Sequence, residues 1–293
     1  MIESLILKNK VTSESILIDK EISEFVLNEA DLGVVEATHH SYSHTNQIGK
    51  YIESTSLEPR LISITGWVIG DTYDLLESNK KILNRLINPR QEVEITLLED
   101  YVLAFQPDYS IKYAVPYAEN NEVLCQFLIQ GTCADPTFTT TIPNTVVVAS
   151  TQPKFKFPWV IPQNEGVLMG LREPSLLTTI LNKGSLDTGM EVVFTCTTPV
   201  TNPSLMNVNT RESFKINKVL SPGEKVVVST VDGSKFIRGI VEGIESNYFR
   251  YWDIDSTWLQ LHEGENILKY DADENSSGLD VSISFLPRFL EVQ

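Results

Sequence analysis

Short apolar runs, rich in Val, Ile and Thr and mostly too brief for helices, recur along the whole chain. They include Leu61 to Ile69, Val93 to Leu98, Val123 to Ile129, Met190 to Cys196, Val226 to Ser229, Phe236 to Ile240 and Leu279 to Phe285. Several alternate. In the last, Val281, Ile283 and Phe285 face one way while Ser282 and Ser284 face the other, the period of a strand with one buried face. Turn residues separate the runs, as at Ser221-Pro222-Gly223 and Asp232-Gly233, the second read as a hairpin turn. The chain is therefore expected to be mostly β.

One segment departs from this period. Between Asp71 and Pro89, the residues Leu75, Leu76, Ile82, Leu83, Leu86 and Ile87 fall on one helical stripe. Asp71 or Thr72 can cap its start, Asp71 and Asp74 suit the positive end of the helix dipole, and Pro89 ends it, which predicts a helix over about residues 74–88. From about Ile22 to Ala30, the spacing of Ile22, Phe25, Val26 and Ala30 is compatible with a second helix or with a strand.

The length, 293 residues, suggests two domains, each able to bury its own core. Prolines bracket a threonine-rich stretch from Asp135-Pro136 to Pro143, and a second proline-rich stretch runs from Gln152 to Pro162. The expected domains are 1–138, with the helix, and 139–293, whose proline-rich linker extends to about 162. Strands without intervening helices in the second half imply an antiparallel sandwich or jelly roll there. No repeat with a period of 20–50 residues is present.

Charge narrows the function. The net charge is -16. Residues 1–135 hold 10 basic and 21 acidic side chains, a net of -11, and the remainder hold 13 and 18, a net of -5. An acidic chain without clustered Lys and Arg is not built to wrap nucleic acid. No apolar run approaches the roughly 18 residues that span a bilayer, and the opening M-I-E-S-L-I-L-K-N-K does not read as a secretory signal. Cys125, Cys133 and Cys196 lack metal or redox spacing and read as small buried apolar residues in a reducing compartment.

Candidate chemistry is sparse. His39, His40 and His44, with Glu36 nearby, could hold a transition metal, but their spacing fits no metal motif and reads as a solvated loop or hairpin. His262, near Trp258, reads as a strand residue. Asp271 to Gly278 resembles the start of a calcium loop, yet Ser276 and Ser282 stand where that loop needs Gly and Glu, so a polar hairpin tip is expected. The carboxylate pairs Glu92/Glu94 and Asp253/Asp255 could in principle serve a glycosidase. There is no G-x-S-x-G elbow, Walker loop or dinucleotide fingerprint. Of the four tryptophans, Trp67 and Trp258 read as core, which leaves Trp159 and Trp252 as candidate surface rings for stacking on sugar. No enzyme, cofactor or metal site is expected.

The order of these signals resembles the distal tail (Dit) proteins of long, non-contractile-tailed bacteriophages, a family of siphovirus tail components. Arg60 opens an alternating strand that reaches Gly66, and the helix closes at Asn88-Pro89-Arg90. The first domain exits through Cys133-Ala134-Asp135-Pro136-Thr137-Phe138, and Gly264-Glu265-Asn266-Ile267 and Pro287-Arg288-Phe289 are similar to the family's closing strands. The resemblance implies an N-terminal β-sandwich with one helix and a C-terminal galectin-like jelly roll, with Arg60, Gly66, Pro89, Asp135, Pro136, Gly264 and Asn266 as structural motif residues. It also implies a hub at the virion tail tip, assembled in the bacterial host cytoplasm. There, six copies would form a ring between the tail tube protein and the tail-tip protein, with a receptor-binding protein as a further partner. The chain could equally be a prophage copy. No segment is large enough for an inserted carbohydrate-binding module, although Glu36 to Glu58 is longer and more polar than a minimal turn needs. The competing expectation is a carbohydrate-binding module recognising cell-wall saccharide.

Overall fold

Two compact units emerge in the computed structural model, the first of residues Met1–Thr141 with Phe289–Gln293 and the second of Ile142–Arg288. The structure describes residues 2–21, 23–45, 48–97, 100–114, 123–148, 150–153, 170–173 and 177–292.

The first unit begins with β1 (Ser4–Asn9), β2 (Ser15–Asp19), β3 (Phe25–Asp31), β4 (Ala37–Tyr42), β5 (Tyr51–Leu57) and β6 (Arg60–Ile69). After helix α1 (Tyr73–Leu86) come β7 (Val93–Leu97), β8 (Tyr101–Pro107), β9 (Lys112–Ala114), β10 (Leu124–Cys133) and β11 (Phe138–Thr140). The two-layered domain expected is one continuous sheet, in the order β8-β7-β1-β2-β3-β6-β10. β10 then pairs back to β8 through Gly131–Pro107 and Thr132–Gln106. Closure leaves few free edges, and the opposing walls face one another over a single core. Alternation decides which side chains enter it: Ile62, Ile64 and Val68 of β6 meet Phe127 and Ile129 of β10 and Leu5 and Leu7 of β1.

Gly66 lies where β6 crosses this core. A Cβ there would stand 2.4 Å from the Val26 carbonyl oxygen and 2.6 Å from the Phe127 ring, so only glycine fits. Trp67, expected in the core, points to the opposite face and is half-buried.

Thr72 caps α1, its hydroxyl accepting from the Leu75 amide, and the helix buries Leu76, Asn79, Leu83 and Leu86. Leu75, expected on the buried stripe, is 40% exposed, because it lies at the stripe's margin. Of the segment compatible with a second helix, Ile22 lies outside the described residues, and the part from Phe25 is the strand β3. Its pairing with β6 shifts between Leu27 and Glu29, and this bulge breaks the alternation that would have identified it.

The second unit comprises β12 (Asn144–Val147), β13 (Ser150–Pro153), β14 (Gly170–Glu173), β15 (Leu177–Asn182), β16 (Met190–Cys196), β17 (Val200–Asn207), β18 (Ser213–Lys215) and β19 (Val219–Leu220). It continues with β20 (Lys225–Ser229), β21 (Phe236–Val241), β22 (Ile244–Asn247), β23 (Gly264–Glu274) and β24 (Leu279–Phe285), and β25 (Arg288–Phe289) follows. One antiparallel sheet has the order β12-β24-β16-β20-β21-β22, and the other has β15-β23-β17-β18. Val192, Phe194, Val228 and Ile283 from the first and Leu205, Phe214, Leu268 and Tyr270 from the second share one core, which makes this unit a β-sandwich. Asp232-Gly233 turns β20 into β21, with Gly233 at φ 78°. Asp271–Gly278 is not a hairpin tip. Asp271 to Glu274 belong to β23, and a short 3-10 turn at Ser276–Gly278 carries the chain into β24 of the other sheet.

Candidate assembly surface

Among the described residues β4 and β5 pair only with each other, and all thirteen of their residues are exposed. The segment read as a loop or hairpin is thus an arm that neither face packs against the first unit's core. Its base is closed by Glu58 N donating to the Glu36 carbonyl at 2.8 Å. Thr38–Ser56, His39–Thr55 and His40–Ser54 stand opposite one another, and a bulge follows between His40 and Ser41. His39 Nδ1 lies 2.9 Å from Thr55 Oγ1 and His40 Nε2 lies 3.5 Å from Ser56 Oγ.

Adjacent strand residues point to opposite faces, so His39 and His40 cannot converge on one ion. Among the described residues no group of three His, Cys, Asp or Glu could hold a metal. His44 instead joins Tyr42 and Tyr51 in an aromatic cluster, with ring centroids 5.4 to 6.5 Å apart. Tyr42, Tyr51, Ile52 and Leu57 are large and exposed, as is Ile48 beyond the strand ends. An isolated two-stranded ribbon is marginal in water, and exposed apolar residues on both of its faces are suited to burial against another surface.

The remaining sequence candidates that the structure describes are spread over strands, turns and a helix end. Arg60 is 1% exposed; its guanidinium lies over Phe138 at 4.8 Å and donates to the Leu290 carbonyl. Cys133, opposite Arg60 in register, has its thiol pushed up to about 12 by burial, with the nearby Arg60 charge opposing, so it is no nucleophile at neutral pH. Asp135 Oδ1 accepts from the Thr137 amide and hydroxyl at 3.2 and 2.7 Å, and this turn with buried Pro136 leads into β11. Pro89 follows the helix end, and its carbonyl accepts from Gln106. Gly264 has φ +86°, which favours glycine. Asn266 is buried; it donates to the His262 and Gly264 carbonyls and accepts from the His262 amide, which fixes the turn before β23. His262 lies in that turn rather than in a strand, 2.8 Å from Asp187.

Lys10 lies 2.8 Å from Glu92 and 3.9 Å from Glu94, so that carboxylate pair is partly neutralised. Asp253 accepts from Asn217 and from the Asp255 amide, which makes it a turn residue. Trp159 lies outside the described residues. Trp252 and Trp258 do not divide into surface and core: both are half-buried in one stack, Phe214–Trp252–Trp258–Phe249, with centroid separations of 5.4, 4.4 and 6.3 Å. No described helix is long and apolar enough to cross a membrane.

Comparison with known proteins agrees with this architecture. The family model for the siphovirus-type tail component, C-terminal domain, matches residues 183–289, and that for the phage tail protein RIFT-related domain matches residues 16–128. None of the curated proteins matches the sequence. Among solved structures, the Dit protein of phage SPP1, described as a paradigm of hub adsorption apparatus in Gram-positive infecting phages, aligns with a TM-score of 0.67. It is 15% identical, over 97% of this chain and 99% of that one. A chain of the phage p2 baseplate in its activated conformation with Sr aligns with a TM-score of 0.50 at 9% identity, over 97% of each. At these identities the likeness is one of fold.

Proposed function

The chain belongs to the distal tail (Dit) family of siphovirus tail components, and on that premise we propose that it is a non-enzymatic structural hub of a phage tail tip. In this reading six copies close into a ring through their first units, joining the tail tube protein to the tail-tip protein. The β4–β5 arm of each copy lies against the next copy. Assembly takes place in the host cytoplasm.

The observation that carries the reading is the arm itself, a ribbon exposed on both faces with apolar and aromatic side chains at its end. A closed ring needs one patch to meet a different patch on its neighbour, and a projecting arm provides the first. The charge also suits a conduit, since a net of -11 in residues 1–135 keeps a ring around DNA from binding what passes through it. The sugar-binding alternative has less to stand on, because Trp252 is held between Phe214 and Trp258.

Light scattering across salt and protein concentration tests this on the full chain and on a variant whose residues 38–56 are replaced by a short turn. The parent should form rings more readily as salt rises, because screening within about 10 Å at 0.1 M relieves repulsion between the acidic units. The variant should remain folded and monomeric. Rings that persist without the arm, or a parent that stays monomeric at every salt and concentration even with tail tube protein added, would overturn the reading.

A further inference from the structure

Residues 289–292 are held within the first unit as a bound peptide would be. β25 joins the edge of β11, and the Phe289 ring meets Tyr101 edge-on at 5.4 Å. The Leu290 carbonyl accepts from Arg60 Nη2 at 2.5 Å, the Glu291 carboxylate lies 3.8 Å from the same nitrogen, and Val292 packs on the core. Among the described residues of the barrel, Arg60 has only the Gly33 carbonyl at 3.5 Å and the Phe138 ring, and its buried Nε has no hydrogen-bond partner among them. A guanidinium buried this deeply is costly unless paired, and its carboxylate comes from the segment. Beside it, Ile2, Leu32, Leu97, Phe138 and Val292 line a cavity of about 450 Å³.

Backbone pairing at a sheet edge, slots for apolar side chains and one charge to read an acid are the elements of peptide recognition by strand addition. We propose that the β11 edge, Arg60 and the adjoining cavity form a binding site for an extended segment that carries an aromatic residue, an acid two positions later and an aliphatic residue directly after the acid. Phe289-Leu290-Glu291-Val292 fills this site in cis, and the same segment of a second copy fills it in trans. None of the contacts depends on how the segment is connected to β24, and Leu286-Pro287-Arg288 is the whole of that connection, with Pro287 favouring an extended entry. The site stands whether or not the chain forms a ring.

The test uses a fluorescently labelled peptide covering residues 287–293 and three full-length proteins: the parent, the double variant Phe289→Ala/Glu291→Ala, and that variant with Arg60→Gln. The peptide should bind saturably to the double variant and about tenfold or more weakly to the triple variant. It should bind little to the parent, whose tethered segment competes at high effective concentration. No saturable binding to the double variant, or equal binding to all three proteins, would overturn the proposal. Hydrogen exchange on the parent decides the matter if a variant fails to fold. Amides of 289–292 should exchange about tenfold or more faster than those of β6, as a locally released element does. Exchange of both segments only together would show that the segment is not separable.

Discussion

The side-chain amide of Asn9 donates to the carbonyl of Leu86 from 2.9 Å, so the last turn of the helix is closed by a residue of the first strand. The same amide donates to Gln91 Oε1, while the side-chain oxygen, Asn9 Oδ1, accepts from the amides of Val11 and Thr12. Asn9 is fully buried. One side chain thus ties a helix end, a strand end and the turn after that strand, satisfying groups that would otherwise be stranded away from water.

Asn9→Ala should lower stability by about 1–3 kcal/mol, the usual cost of leaving a buried polar group unpaired. Asn9→Asp should not recover the loss, because a carboxylate cannot donate to the Leu86 carbonyl. Urea denaturation of both variants measures this. An aspartate variant as stable as the parent would show that the turn amides, not the helix carbonyl, are what Asn9 secures.

Leu83 and Leu75 provide a paired test of the helix's inner face. Leu83 is wholly buried against the barrel and Leu75 is 40% exposed. Leu83→Ala should cost about 2–5 kcal/mol and Leu75→Ala less than about 1 kcal/mol. Equal losses in thermal or chemical denaturation would mean that the helix packs differently.

What the sequence made legible was local. Leu279–Phe285 could be delimited because its alternation runs unbroken from end to end, and Met190–Cys196 because it is a short apolar run rich in Val. The helix could be read because its cap, stripe and terminating proline agree. β3 stayed ambiguous because the bulge after Leu27 moves its later side chains to the other face. The arm could be read no further than as a loop or hairpin, because periodicity detects a strand by its contrast of faces, and β4 and β5 have none. The Arg60–Leu290 bond joins residues 230 positions apart, and no local pattern encodes such a pairing. The crossing from β23 to β24 was hidden for the same reason: Asn275-Ser276-Ser277-Gly278 is ordinary turn chemistry, and sheet membership is set elsewhere.

Trp252→Ala should behave as a packing mutation. The ring is stacked between Phe214 and Trp258, and its backbone bridges to Ile216. Its removal should cost about 2–4 kcal/mol, below the range for a fully buried Trp because the ring is only half-covered. Glycan arrays and calorimetry should give no saturable binding for parent or variant. Binding by the parent tighter than about 100 μM that Trp252→Ala abolishes in a still-folded protein would restore the saccharide reading.

The pH dependence of the second unit should follow Glu224. Its side chain is 3% exposed; one oxygen lies 2.7 Å from Lys218 Nζ and the other accepts from the Ser221 amide at 3.0 Å. Burial alone would raise this carboxyl's pKa, but the bonds from Lys218, Ser221 and Tyr248 together outweigh it and hold the group below its ordinary value of 4.5. A carboxyl whose pKa is lower in the folded than in the unfolded chain stabilises the fold at pH values above the unfolded pKa. That contribution fades as pH falls through the folded one. Glu224→Gln, which has no charge to lose and leaves Lys218 without its anion, should cost about 3 kcal/mol at neutral pH, the lower end for a broken buried pair because Lys218 is 20% exposed. The gap between parent and variant should stay constant from pH 7 to about 5 and narrow below the ordinary carboxylate value of 4.5 as the parent's Glu224 takes up its proton. Denaturant unfolding at a series of pH values measures that gap directly. If it stays constant down to pH 3, the Lys218–Glu224 pair contributes no charge-dependent stability and the loss belongs to packing alone.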